Sequence, residues 1–291
     1  MKLILKIIIF FLFFINPSNE TNSQIVFNQD NKMALLTSKL SGYEKHTNWM
    51  GQNSYNYEYI KNKKFARRGE HYQRFELRNG DCFGNEGWND CENDRERVEF
   101  SSYPRQQPTG QECFAYSIML DDNFIDIHPT NTDLGQIHQE GGPKGEAGGM
   151  SSLPPLIQIG AKRGKLNFGW HELTGSSDNV IDKKREYPLI KLKHMKGKWT
   201  DISFCLDYEN KRMDIWINGL KVQEIKKSPI NFVPKKTYFK FGIYRSFISR
   251  YKQSETLEKL PTQIVYYDEI RRGNSIEEVD YNLNPDLKPV D

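Results

Sequence analysis

What this chain has little of narrows its function first. Among 291 residues there are only six His and four Cys, with no closely spaced pairs of either, which removes a zinc centre from consideration. No nucleic-acid-binding motif appears, so that class of partner is not expected. Helix signals are scarce, no internal repeat is evident, and no linker marks a second domain. No strand candidate carries closely alternating acids, whereas a glycoside hydrolase needs two carboxylates flanking the scissile bond. The long apolar run ending at Ile15 is too short to span a bilayer, and no Cys follows it to carry a lipid.

That run follows Lys2 and Lys6 and leads into a short polar stretch, the pattern of a secretory signal peptide over residues 1–23. Residues 24–291 then suit one large domain, secreted or periplasmic, monomeric, and not inserted in a membrane once the leader is removed. The formal charge is +3 and the part beyond the leader is nearly balanced, so any preference for an anion has to be local. Basic clusters do occur, at Lys162-Arg163 with Lys165, at Lys183-Lys184-Arg185, and at Lys191, Lys193, Lys196 and Lys198.

The even Cys count of an exported chain predicts disulfides. Cys82 with Cys91 would close a loop rich in Gly, Asn and Asp, leaving Cys113 and Cys205 as a second bridge or as buried thiols. The same loop holds Asp81, Asn89, Asp90, Asn93 and Asp94, but without the regular spacing of a calcium loop.

Strand candidates rich in Ile, Phe and Tyr recur through the chain with Gly, Asn, Asp and Pro at the turns between them, as in a sandwich or barrel. Asn218-Gly219 between two such strands predicts a tight hairpin. Three segments break the expected pattern of a core: Arg97-Val98-Glu99, Gln136-Ile137-His138, and Tyr238 through Tyr244. With a period of two, Arg97 and Glu99 share a face, as do Gln136 and His138, and as do Tyr238, Lys240, Gly242 and Tyr244. Stacked side by side, these strands would form one polar cleft. Residues 141–155, with five Gly and three Pro, form a loop directly after His138 that could cover it.

Several motifs recur in order across roughly residues 72–272. They are Arg74-Phe75-Glu76-Leu77-Arg78 with Gly80-Asp81, Arg95-Glu96-Arg97-Val98-Glu99, Gly135-Gln136-Ile137-His138-Gln139, Gly197-Lys198-Trp199-Thr200-Asp201, Ile215-Trp216-Ile217-Asn218-Gly219, the Tyr238 segment, and Tyr266-Tyr267-Asp268-Glu269. Together they resemble the heparin lyase I family of polysaccharide lyases, with motifs shared with alginate lyases. The resemblance implies an all-β, concanavalin-like jelly roll of two antiparallel sheets with a concave substrate cleft. It also implies β-elimination in an acidic, uronate-containing polysaccharide, leaving a 4,5-unsaturated uronate end, with no cofactor required.

The chemistry accounts for the residue types. The C5 proton is weakly acidic while the neighbouring carboxylate is charged, so cations and hydrogen-bond donors must neutralise that carboxylate. By the resemblance, Arg97 and Gln136 do so, with Arg74 as a second cation. His138 would take the C5 proton and Tyr244 protonate the departing O4, or Tyr244 would do both while His138 binds the carboxylate. Lys240 and Tyr238 would bind substrate, Lys240 also favouring the tyrosinate form. Glu76 and Glu99 would hold the Arg side chains, and Asp268 is a candidate ligand for a structural calcium. The competing reading is a non-catalytic, lectin-like carbohydrate-binding module on the same fold. Near-neutral charge allows a glucuronan or alginate as readily as a sulfated glycosaminoglycan.

Overall fold

In the strand Lys236–Ser246, Phe239, Phe241 and Ile243 are buried in the core while Tyr238, Lys240 and Tyr244 alternate with them on the other face. This period-two division is repeated through a computed structural model that describes residues 25–27, 34–36, 46–85, 88–103, 109–140, 154–176, 179–226 and 236–290. The expected leader and the Gly-rich part of the loop at 141–153 lie outside the described residues.

The strands follow one another as β1 (Ile25–Phe27), β2 (Ala34–Leu36), β3 (His46–Met50), β4 (Tyr57–Lys61), β5 (His71–Leu77), β6 (Gly84–Asn85) and β7 (Trp88–Asn89). Next come β8 (Arg95–Tyr103), β9 (Gln111–Leu120), β10 (Asn131–Glu140), β11 (Ile157–Lys162), β12 (Lys165–Ser176) and β13 (Asn179–Lys191). Then follow β14 (Thr200–Asp207), β15 (Arg212–Ile217), β16 (Leu220–Ile225), β17 (Lys236–Ser246), the helix α1 (Ile248–Glu255) and β18 (Gln263–Gly273). Fourteen of these strands form two seven-stranded antiparallel sheets, ordered β13-β12-β11-β10-β17-β8-β3 and β16-β15-β14-β9-β18-β5-β4. The fold is therefore the all-β, jelly-roll-like sandwich expected from the sequence.

The core between the sheets is dense in aromatic rings. Phe75, Phe100, Phe241 and Tyr267 meet edge-on or tilted with centroids 5.2–5.8 Å apart, the arrangement ring quadrupoles favour. Asn218 and Gly219 join β15 to β16 with both φ angles positive, 50° and 75°, as a tight hairpin requires. Both disulfides are present: Cys113–Cys205 ties register partners on β9 and β14, and Cys82–Cys91 closes the short loop before β8. No described helix is long and apolar enough to cross a membrane.

Two features aim the polar face. A β-bulge in β10 between Asp133 and Gln136 lets both residues face away from the core although three positions separate them. At the bulge, a Cβ on Gly135 would meet Tyr116 Oη at 2.6 Å, so glycine is what lets β10 sit this close to the core.

Candidate active site

The neighbours β10, β17 and β8 bring Gln136, Lys240, Tyr244, Arg97 and Glu99 to one face, opposite to the buried Ile137, Phe239, Ile243, Val98 and Phe100. At its centre is Glu99, which is 1% exposed. One of its oxygens accepts from Gln136 Nε2 at 2.6 Å, and the other lies 2.7 Å from Lys240 Nζ and 3.5 Å from Arg97 Nη1. Glu99 thus holds three side chains of this face, more than the single Arg expected of it.

Arg97 is clamped from the other side by Asp90, whose oxygens accept from Nε and Nη2 at 2.5 and 2.6 Å. Asp90 is fully buried, also accepts from Trp88 Nε1, and adjoins Cys91, so the Cys82–Cys91 bridge anchors the clamp. Burial works against the charge on Arg97, but Asp90 and Glu99 outweigh it and its pKa is raised. Lys240 shows the reverse balance: burial, aided by Arg97, lowers its pKa despite Glu99.

The Tyr244 ring lies 4.4 Å from the Arg97 guanidinium carbon, and its hydroxyl accepts from Arg95 Nε at 3.0 Å. Arg95 is itself fixed, donating through Nη1 to the carbonyls of Asn93 and Asp94 and stacking 4.0 Å from the Phe247 ring. Burial pushes the Tyr244 phenol up to about 12, while Arg97 and Arg95 pull it down. Around the phenol stand three cations, Arg95, Arg97 and Lys240, and three carboxylates, Asp90, Glu99 and the register partner Asp133.

His138 stands apart from this group. It pairs with Tyr238, the rings stacked at 5.2 Å, and Tyr244 lies six residues farther along β17, about 20 Å of extended strand. Its Nδ1 lies 2.9 Å from the Gln139 N–H and 3.1 Å from the Gln139 carbonyl. Accepting from the N–H places the neutral ring's proton on Nε2, making that atom a donor; donating to the carbonyl would free it as a base. The contact to the N–H is the shorter.

Arg74 and Glu76 are not part of the site. They lie on β5 of the opposite sheet, alternating with the core residues Phe75 and Leu77, so they face away on the far side of the sandwich. There Glu76 pairs with both Arg74 and Arg78, and Glu58 lies 3.7 Å from Arg74. Asp268 accepts backbone N–H bonds from Arg67, Arg68 and Glu269 and so helps to fix that loop. Asp81 is likewise taken up by Asn53, Tyr55, Asn56 and the Arg78 N–H. Among the described residues no group of three or more His, Cys, Asp or Glu is arranged to hold a metal.

Asp90, Arg95 and Asp133 are the site residues that motif reading passed over. Arg95 carries a signal in the sequence, since it alternates with Arg97 and Glu99 on the same strand.

The sequence matches the family model for polysaccharide lyases over residues 37–271. The chain belongs to that family. A polysaccharide lyase of this fold is also what solved structures resemble. The endo-β-1,4-glucuronan lyase of the fungus Trichoderma reesei is 14% identical, with a TM-score of 0.58 over 79% of this chain and 92% of that one. A family 7 alginate lyase, A1-II′, solved with product, is 12% identical with a TM-score of 0.49 over 77% and 85%. A search of curated protein sequences gives no match. As an enzyme of this family, the chain is not the non-catalytic binding module that the sequence had left open.

Proposed function

We propose that this polysaccharide lyase is exported and cleaves an unsulfated polyuronate by β-elimination, with Tyr244 moving the proton. The observation that carries the reading is one hydrogen-bonded and ion-paired group, Gln136, Lys240 and Arg97 on Glu99, beside a tyrosine whose ring adjoins Arg97 and Lys240 and whose hydroxyl accepts from Arg95. Gln136 and Arg97 would bind the uronate carboxylate, drawing charge off C5. Tyr244, as phenolate, would take the C5 proton; the C5–H electrons form the C4–C5 double bond, the C4–O4 bond breaks, and the phenol returns the proton to O4. Arg95 and Arg97 stabilise the phenolate stage.

The placement of His138 supports one class of substrate stereochemistry over the other. A single group can serve both ends of the elimination only where H5 and O4 lie on the same face of the ring, as in D-glucuronate and D-mannuronate. L-guluronate and L-iduronate put them on opposite faces and call for a separate base. With His138 beside Tyr238 and its shorter contact favouring a donor Nε2, the gluco or manno configuration is the better match, and His138 would bind substrate. The charge balance agrees: three cations stand against three carboxylates, Asp90, Glu99 and Asp133, so the site is not the strongly basic surface that the several sulfates of a heparin would call for. Likeness to a glucuronan lyase makes glucuronan the first polymer to try. The leader-like N-terminus and two disulfides support export.

The test is a panel of glucuronan, polymannuronate, polyguluronate and heparin, followed by ultraviolet absorbance of the new double bond. Glucuronan or polymannuronate should be cleaved, and Tyr244→Phe should lower kcat by about 10²–10⁴-fold. Preference for heparin, or full activity in Tyr244→Phe, would overturn the reading.

A further inference from the structure

Phe247, between β17 and α1, has φ of 61° and ψ of 52°, a left-handed backbone that a bulky side chain rarely adopts and that glycine takes freely. The turn is held by hydrogen bonds. The N–H groups of Phe247 and Ile248 both donate to the Asp94 carbonyl, at 3.0 and 3.3 Å, and Thr130 Oγ1 donates to the Phe247 carbonyl at 2.8 Å. Ser249 adds two bonds to the Asp94 carboxylate, from its N–H and its Oγ, each at 2.8 Å. None of these bonds uses the Phe247 side chain, so the turn gives no reason for an aromatic ring at a strained position.

The core gives none either, since Phe247 belongs to none of the apolar clusters among the described residues. Its ring instead carries two guanidinium groups, those of Arg95 and the exposed Arg250, each with Cζ 4.0 Å from the ring centre. Arg95 is the cation whose Nε donates to the Tyr244 hydroxyl at 3.0 Å. The carbonyls of Asn93 and Asp94 hold it through Nη1 alone, one corner of the group. A ring lying against the guanidinium fixes its plane, and with it the direction of Nε–H.

We propose that Phe247 is a positioning residue for the elimination: its ring keeps the Arg95 guanidinium turned so that Nε–H meets the Tyr244 hydroxyl, and the left-handed backbone puts the ring there. The proposal rests on the reading of Tyr244 as the group that moves the proton, and the test separates the two.

Phe247→Gly keeps the left-handed backbone and removes the ring, Phe247→Leu keeps bulk without a π face, and Phe247→Tyr keeps a ring. On a cleaved polyuronate, the Gly and Leu variants should lower kcat by about three- to tenfold, the scale of one cation–π contact, with KM little changed; the Tyr variant should match wild type. The phenolate limb of the pH profile should move to higher pH in the first two. Tyr244 is faced by Arg95, Arg97, Asp90 and Glu99 from β8 and the loop before it, by Lys240 on its own strand and by Asp133 on β10. Of these, Arg95 is the one the Phe247 ring meets, so Phe247→Leu should add nothing in an Arg95→Gln background.

Crystal structures of the Gly and Leu variants supply a readout that needs no substrate: Arg95 Nε should leave the Tyr244 hydroxyl. If wild type cleaves no uronate polymer, the elimination reading fails, while a displaced Arg95 still upholds the placement by Phe247. Arg95 unmoved in both variants, or the same loss of rate from Phe247→Leu with and without Arg95, would overturn the proposal.

Discussion

Gln136 and Glu99 meet across an intervening strand: Nε2 donates to Oε1 at 2.6 Å although β17 runs between β10 and β8. Glu99 is the register partner of Gly242, the one position on that stretch of β17 with no side chain to stand in the way. Gly242 has φ of 125°, and a Cβ there would come within 2.3 Å of the Val98 carbonyl. One glycine thus allows both the local backbone and the contact that orders the cleft.

Gly242→Ala should therefore damage stability and catalysis together. The strained φ and the clash with backbone should cost about 2–4 kcal/mol. Thermal unfolding reads the first effect, and kcat/KM on a cleaved polyuronate reads the second. An alanine variant with wild-type melting temperature and activity would show that the spacing over β17 is immaterial.

Arg95 bears on the proton itself. Because Arg95 and Arg97 pull the Tyr244 pKa down against burial, the phenolate fraction should set the rate below about pH 12, with log kcat/KM rising one unit per pH unit. Arg95→Gln removes one of the lowering charges, so the phenolate limb should move to higher pH and the rate at any fixed pH should fall. Glu99 and Asp90 act in the opposite sense on the same phenol, and Arg97, Lys240 and the register partner Asp133 complete its charged surroundings. A bell-shaped profile with an imidazole-like limb, unmoved by Arg95→Gln, would return the role of base to His138.

Much of this was legible in the sequence, and the failures have a common cause. Period two correctly placed Arg97 with Glu99 and Lys240 with Tyr244, since alternation is a local property. The resemblance set Arg74, held by Glu76, on the substrate carboxylate, but a motif cannot say which sheet its strand joins, and β5 joined the other one. The separation of His138 from Tyr244 depends on register and on a bulge in β10, both set by long-range pairing. Asp90 was visible only as one acid in a loop, because its role arises from a disulfide that turns it toward Arg97.

That clamp yields a stability prediction. Asp90→Ala leaves the largely buried Arg97 without its bidentate partner, and an uncompensated buried charge costs about 3–5 kcal/mol. Asp90→Asn should cost less, because the amide oxygen still accepts one of the two hydrogen bonds. Chemical denaturation of the three proteins gives the order wild type, Asn, Ala; equal stabilities would mean that Arg97 is satisfied by Glu99 alone.

Asp133 should set a pH dependence of stability with the opposite sign to that of a paired carboxylate. Burial, with a smaller contribution from Glu99, pushes it from 3.8 up to about 6, against the pull of Lys184, Lys240 and the Gln158 hydrogen bond. A carboxyl whose pKa is raised on folding favours the native state fully below its unfolded value, and that contribution is lost as pH rises through the folded value. Between pH 3.8 and about 6 the loss amounts to up to about 3 kcal/mol. Asp133→Asn keeps an acceptor for Gln158 but never ionises, so it should gain stability relative to wild type above about pH 6 and show little gain near pH 4. Melting temperatures of the two proteins across that range decide it: a constant difference at all pH values would mean that the carboxyl of Asp133 does not titrate within the fold.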